Sequence, residues 1–161
     1  MDTEYKVVEK LIEKGYHITF AESCTAGLVA ARLVNVPDAS KVLDVSFVTY
    51  ADEAKQKYVG VKEETIAENG VVSEEVAGEM AAGAASAMEA EVGVGITGVA
   101  GPTGGTETKP VGMVCFGFYI DGQITTYTMQ FGDLGRNNVR RSSVDFCYDK
   151  LIELLDGGSI C

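Results

Sequence analysis

The chain has 161 residues, 46% hydrophobic and 23% charged, which is enough apolar material for one globular domain with its own core. A formal net charge of −11 argues against a nucleic-acid partner, because phosphate neutralisation needs clustered Lys and Arg, and the only adjacent arginines are Arg140 and Arg141. Cys24, Cys115, Cys147 and Cys161 are dispersed and form no C-x-x-C pair, and no apolar run approaches membrane-spanning length. A soluble cytoplasmic protein with free thiols, no disulfide framework, no metal site and no membrane contact is therefore expected.

Residues 3–14 place Val7, Val8, Leu11 and Ile12 on one face, with Glu and Lys opposite and Gly15 as a stop, predicting a covering helix. Residues 17–21 read as a short strand. His17, at its start, has no carboxylate neighbour in sequence and reads as structural. The strand leads into Phe20-Ala21-Glu22-Ser23-Cys24-Thr25-Ala26-Gly27, where hydroxyls and small residues open a helix predicted over residues 24–34. That layout puts Ser23 at a helix N-terminus, where unpaired N–H groups and the macrodipole favour a phosphate or a developing oxyanion. The plainer alternative is that Ser23 or Thr25 is an ordinary N-cap. Pro37 and turn formers over residues 35–41 then reverse the chain.

Residues 42–50 are rich in β-branched and aromatic side chains and predict a second strand, ending in Thr49-Tyr50-Ala51-Asp52-Glu53-Ala54-Lys55 at another strand-to-helix junction. A short helix over residues 63–68 precedes a longer one N-capped by Ser73, whose Val76, Ala77, Met80, Ala81, Ala84 and Met88 fall at helical spacing as core. Val92, Val94 and Ile96 alternate with Gly93 and Gly95, predicting a third strand that a helix or ligand approaches closely. It runs into Thr97-Gly98-Val99-Ala100-Gly101-Pro102-Thr103-Gly104-Gly105, a glycine-dense stretch able to turn several N–H groups inward as an anion cradle. No Gly-Lys-Ser or Gly-Lys-Thr closes it, so it is no Walker loop, and it lacks the dinucleotide fingerprint. Residues 111–120 and 124–131 flank Asp121-Gly122, a hairpin signal, and a helix over residues 134–155 closes the chain.

Strands alternating with helices, plus one hairpin, predict a three-layer α/β/α sandwich on a mixed, mainly parallel sheet of about five strands. Ser23, the Tyr50 to Lys55 segment and Thr97 with its glycine loop each follow a predicted parallel strand. In open α/β sheets ligands bind outside such carboxyl ends, so these segments converge on one crevice.

The segments AESCTAG, FVTYADEAK, GVVSEEVAGEMAAG, GITGVAGPTGG, KPVG and RNNVRR, in this order over about residues 7–155, resemble the C-terminal domain of the CinA (competence/damage-inducible) family. The resemblance implies hydrolysis of the carboxamide of nicotinamide mononucleotide to nicotinic acid mononucleotide and ammonia, with no metal or organic cofactor, in a homodimer. It also implies Ser23 as nucleophile, with Lys55, Tyr50 and Thr97 at the family's further functional positions. Two departures stand out: the family usually has Gly-Gly where this chain has Ala26-Gly27, and Tyr-Ser-Asn where it has Tyr50-Ala51-Asp52.

Amide hydrolysis suits these residue types. Without a usable histidine, the base toward Ser23 is a lysine kept neutral by desolvation or by a nearby cation, and Lys55 takes that role. Tyr50 or Thr97 would relay the proton or orient the pair. An oxyanion would be held by the amides of Cys24, Thr25 and Ala26 or by those between Gly98 and Gly101. Arg140 either contacts a phosphate or lies on a solvated helix face. The competing readings are a thiol hydrolase using Cys24, its acidity raised at a helix N-terminus, and a non-catalytic nucleotide- or phosphate-binding module of the same fold.

Overall fold

The computed structural model describes residues 1–157, so Cys161 lies outside the described residues. Ile18–Glu22 (β1) is parallel to Leu43–Val48 (β2) on one side and to Val92–Gly98 (β3) on the other. Met113–Ile120 (β4) is antiparallel to β3, and Gln123–Gln130 (β5) is antiparallel to β4, giving the order β2-β1-β3-β4-β5. Every strand except β4 therefore points the same way, which is the mixed, mainly parallel sheet expected. Asp121 and Gly122 join β4 to β5 with positive φ at both residues (47° and 90°), the backbone a tight hairpin requires.

Side-chain alternation along the strands assigns the layers. Phe20, Val94, Ile96, Phe116 and Phe118 face a core closed by Thr3–Lys14 (α1), Leu28–Leu33 (α2) and Arg136–Leu155 (α6). On the opposite face Ala21 packs with Val59 of Asp52–Val59 (α3) and with Val76, Met80 and Ala84 of Glu74–Ala87 (α5), and Glu63–Asn69 (α4) precedes α5. The glycines of β3 and β4 explain how α5 sits so low. A methyl at Gly93 would run into the carbonyl oxygen of Ala81, and one at Gly95 or Gly117 into that of Ala77. Their close neighbour is a helix. Ser73 caps that helix as expected, its hydroxyl accepting from the Val76 N–H at 3.3 Å.

Two expectations need correction. The helix predicted over residues 24–34 begins only at Leu28, because Ala26 (φ 47°) and Gly27 (φ 98°) are both left-handed and make residues 24–27 a turn. Neither Ser23 nor Thr25 caps it. The buried carboxylate of Glu22 does so, accepting from the N–H groups of Gly27, Val29 and Ala30. His17 does have an acidic partner: its Nδ1 lies 2.7 Å from Asp44 Oδ1, at the opposite end of β1 from Ser23.

Candidate functional site

The sheet register aligns the site. Glu22 pairs with Val48 and with Ile96, so Ser23 and Thr49, just past the ends of β1 and β2, lie level with Thr97 near the end of β3. Main-chain hydrogen bonds hold that level past the strand ends, from Ser23 N–H to the Ile96 oxygen at 3.1 Å and from Thr49 N–H to the Glu22 oxygen at 2.9 Å. The order 2-1-3 also makes the gap between β1 and β3 the point where the crossovers leave in opposite directions, the usual ligand crevice of an open α/β sheet.

Glu22 fixes the turn that carries Ser23. Besides the three N–H groups, its carboxylate accepts the hydroxyls of Thr25 at 2.7 Å and Ser46 at 3.1 Å. Arg140 grips the same turn from outside, its Nε donating to the Cys24 oxygen at 2.8 Å and its Nη2 to the Thr25 oxygen at 3.4 Å. A charge with this many donors is well compensated for its burial, and the turn cannot shift without breaking several bonds together.

Lys55 lies in the first half of α3, and its side chain is 1% exposed. Its Nζ sits 2.8 Å from the Thr49 oxygen, 3.1 Å from the Tyr50 oxygen and 3.2 Å from Ser23 Oγ. Carbonyls can only accept, so two of the amine's hydrogens are committed to them. In the neutral amine the remaining lone pair then faces the Ser23 hydroxyl, the one partner with a proton to give. Desolvation by burial pulls the Lys55 pKa below the ordinary lysine value, and the carboxylate of Asp52 opposes that shift.

A cleft of about 310 Å³ opens beside this pair. Ser23, Cys24 and Lys55 form one side, Thr97 and the glycine loop from Gly98 to Gly104 another, and Tyr50, Asp52, Arg136, Val71 and Val72 complete the lining. Such a volume lies at the small end of ligand pockets. Tyr50 reaches Lys55 only through its carbonyl; its phenol, on a residue 60% exposed, accepts from Arg136 Nη2 at 3.0 Å. Thr97 gives its hydroxyl proton to the Val71 oxygen at 3.0 Å. Neither hydroxyl is hydrogen-bonded to the Ser23–Lys55 pair.

Among the amides expected to hold an oxyanion, Ala26 N–H already donates to the Ser23 oxygen at 3.0 Å, and Val99 N–H to the Met113 oxygen at 2.8 Å. The N–H groups of Cys24 and Thr25 donate to no main-chain oxygen among the described residues, and of the two only Cys24 lines the cleft. Gly98 and Gly101 line it too. Gly101 adopts φ 82°, and its oxygen accepts from Arg136 Nη1 at 2.7 Å. Burial pushes the Cys24 thiol up to about 11, so it is not the activated thiolate that a cysteine hydrolase needs.

The sequence reading missed two residues. Arg136, not Arg140, brings a guanidinium into the cleft, and Glu22 builds the turn. The signal for Glu22 was a lone acid closing the apolar run Ile-Thr-Phe-Ala. For Arg136 it was its place as the first residue of the closing motif, nearest the loop that delivers it to the strand ends. Among the described residues no group of three or more His, Cys, Asp or Glu side chains is placed to hold a metal, and no helix is long and apolar enough to cross a membrane.

Fold and site together define an α/β/α sandwich protein with a buried lysine–serine pair at the carboxyl ends of its parallel strands. The chain belongs to the family described as the CinA C-terminal domain, which it matches over residues 1–155. A CinA-like protein of Kosmotoga olearia is 47% identical over 143 residues, covering 89% of this chain and 34% of the relative. Another, from Dictyoglomus turgidum, is 48% identical over 138 residues, covering 85% and 33%. The chain thus spans about a third of the length of these curated relatives. Among solved structures, the competence/damage inducible protein CihA from Agrobacterium tumefaciens superposes with a TM-score of 0.92 at 36% identity, over 96% of this chain and 93% of that one. A CinA superfamily protein from Klebsiella pneumoniae gives 0.91 at 36% identity, over 98% and 99%.

Proposed function

We propose that this chain hydrolyses the carboxamide of nicotinamide mononucleotide to nicotinic acid mononucleotide and ammonia, with Ser23 as nucleophile and Lys55 as its base. The observation that carries this reading is the 3.2 Å contact between Lys55 Nζ and Ser23 Oγ, in a place where burial favours the neutral amine. Lys55 accepts the Ser23 proton as Oγ attacks the carboxamide carbon. The resulting oxyanion is stabilised by the Cys24 N–H at the cleft wall. Lys55 returns the proton to the amine nitrogen, the C–N bond breaks, and ammonia leaves an acyl-Ser23. Water then attacks that ester with Lys55 again taking a proton, the carboxylate product forms, and the Ser23 hydroxyl is restored.

The phosphate is assigned to Arg136, which lines the cleft and is preset by Gly101 and Tyr50, with amides of the glycine loop beside it. Arg140 acts on the nucleophile's turn, and Tyr50 positions Arg136. Thr97 keeps the loop against residue 71. Homodimer assembly and a cytoplasmic location fit this reading without entering its chemistry.

The test is ammonia release from nicotinamide mononucleotide, with free nicotinamide and glutamine as controls. Wild type is expected to release ammonia from the mononucleotide, Ser23→Ala to release none above background, and Cys24→Ala to retain activity. Tight binding of the mononucleotide by wild type without any ammonia would instead identify a non-catalytic binding module.

A further inference from the structure

The charges lining the cleft are few, and each faces a different part of it. Lys55 is buried against Ser23, and Arg136 is tied to Gly101 and Tyr50. Among the described residues Asp52 is the only carboxylate in the lining, and it is exposed. Among the described residues it makes no side-chain hydrogen bond and no ion pair, unlike Glu22, Asp44 or Glu74, whose carboxylates are all engaged. It precedes Lys55 by three positions on α3, so both side chains emerge on the same helix face, and the aromatic residue Tyr50 lines the same cleft.

We infer that Asp52 is a specificity-determining residue that reads the positive charge of a quaternary pyridinium ring, so that the cleft prefers a cationic carboxamide to a neutral one of the same shape. The inference deepens the carboxamide hydrolysis proposed above and rests on it. A carboxylate beside a base that must be neutral is a liability in the empty cleft, because it favours the charged lysine. A cation docked against Asp52 offsets that field, and a ring flanked by a carboxylate and an aromatic face gains from both. The plain alternative is that Asp52 only stabilises the start of α3, where acids favour the helix dipole. Glu53 already occupies that first turn. The two roles predict different behaviour toward ring charge.

Nicotinamide mononucleotide and its reduced dihydropyridine form share carboxamide, ribose and phosphate, and differ in the charge of the ring. Dissociation constants for both are measured by calorimetry in the Ser23→Ala background, with Asp52 intact, replaced in Asp52→Asn, or kept acidic in Asp52→Glu, and ammonia release by wild type is assayed alongside. The expected result is that Asp52→Asn lowers the preference for the cationic form by about threefold to tenfold, the size of one partly exposed charge contact, while Asp52→Glu keeps most of it. A change in melting temperature with an unaltered preference would overturn the inference and leave only the helix-start role. If wild type releases no ammonia from the mononucleotide, the underlying hydrolysis reading fails. If it releases ammonia and the preference ignores Asp52, only the role of Asp52 fails.

Discussion

Glu22 and Lys55 are both buried titratable side chains at the same end of the sheet, and they are held in opposite ways. Glu22, 0% exposed, receives hydrogen bonds from Thr25, Gly27, Val29, Ala30 and Ser46, so its carboxylate is surrounded by donors and has no partner that can exchange a proton usefully. Lys55, 1% exposed, meets two carbonyl oxygens and one hydroxyl. A saturated charge is a fastener. A buried amine whose third partner is a serine is poised for chemistry, because its neutral form is the one the surroundings favour.

The sharpest way to break this contrast is to remove each group and ask which property fails. Lys55→Met is expected to lower kcat/KM for ammonia release by about 1,000- to 10,000-fold, the scale of a lost general base, while stability stays level or rises, since an apolar chain replaces a buried amine. Steady-state kinetics with a denaturant melt checks both halves. Glu22→Gln should do the reverse in kind. Its amide nitrogen would face N–H and O–H donors, and unfolding should become easier by about 2–4 kcal/mol, read from the urea midpoint at constant slope. If Glu22→Gln were as stable as wild type, the fastener description would be wrong. The smallest effect refines the turn between them. Ala26 sits at φ 47°, a region where a methyl carries strain, so Ala26→Gly should stabilise by about 0.5–1 kcal/mol after the glycine's extra unfolded-state entropy is subtracted. Thermal unfolding would register it as an upward shift.

Much of this architecture was readable in the residues. The period of the apolar positions gave α1 over its full span, Asp121-Gly122 gave the hairpin, and the alternation in β3 fixed its faces. The place where the three parallel strands end followed from topology. What could not be read was local and depended on side chains meeting across distance. The start of α2 moved by four residues because Glu22 captures its N–H groups and two left-handed residues intervene, a compensation no propensity encodes. Arg136 and Arg140 are one helical turn apart on α6, and only packing decides that the first lines the cleft while the second holds the Cys24 and Thr25 carbonyls. His17 likewise found Asp44 across the β1–β2 pairing, a neighbour invisible in the linear chain.

The account turns on an amine that surrenders its proton more readily than a free lysine. Its folded-state pKa lies below its unfolded one, so the native state binds fewer protons between the two values; stability therefore rises with pH across that window, and the neutral base accumulates over the same range. An NMR titration following the labelled Lys55 side chain, with Lys55→Met to assign the signal, measures this directly. The account predicts a midpoint below the ordinary lysine value of about 10.4, matched by the acid limb of kcat/KM for ammonia release. A midpoint at or above that value would contradict it, because Ser23 would then have a charged neighbour and no base.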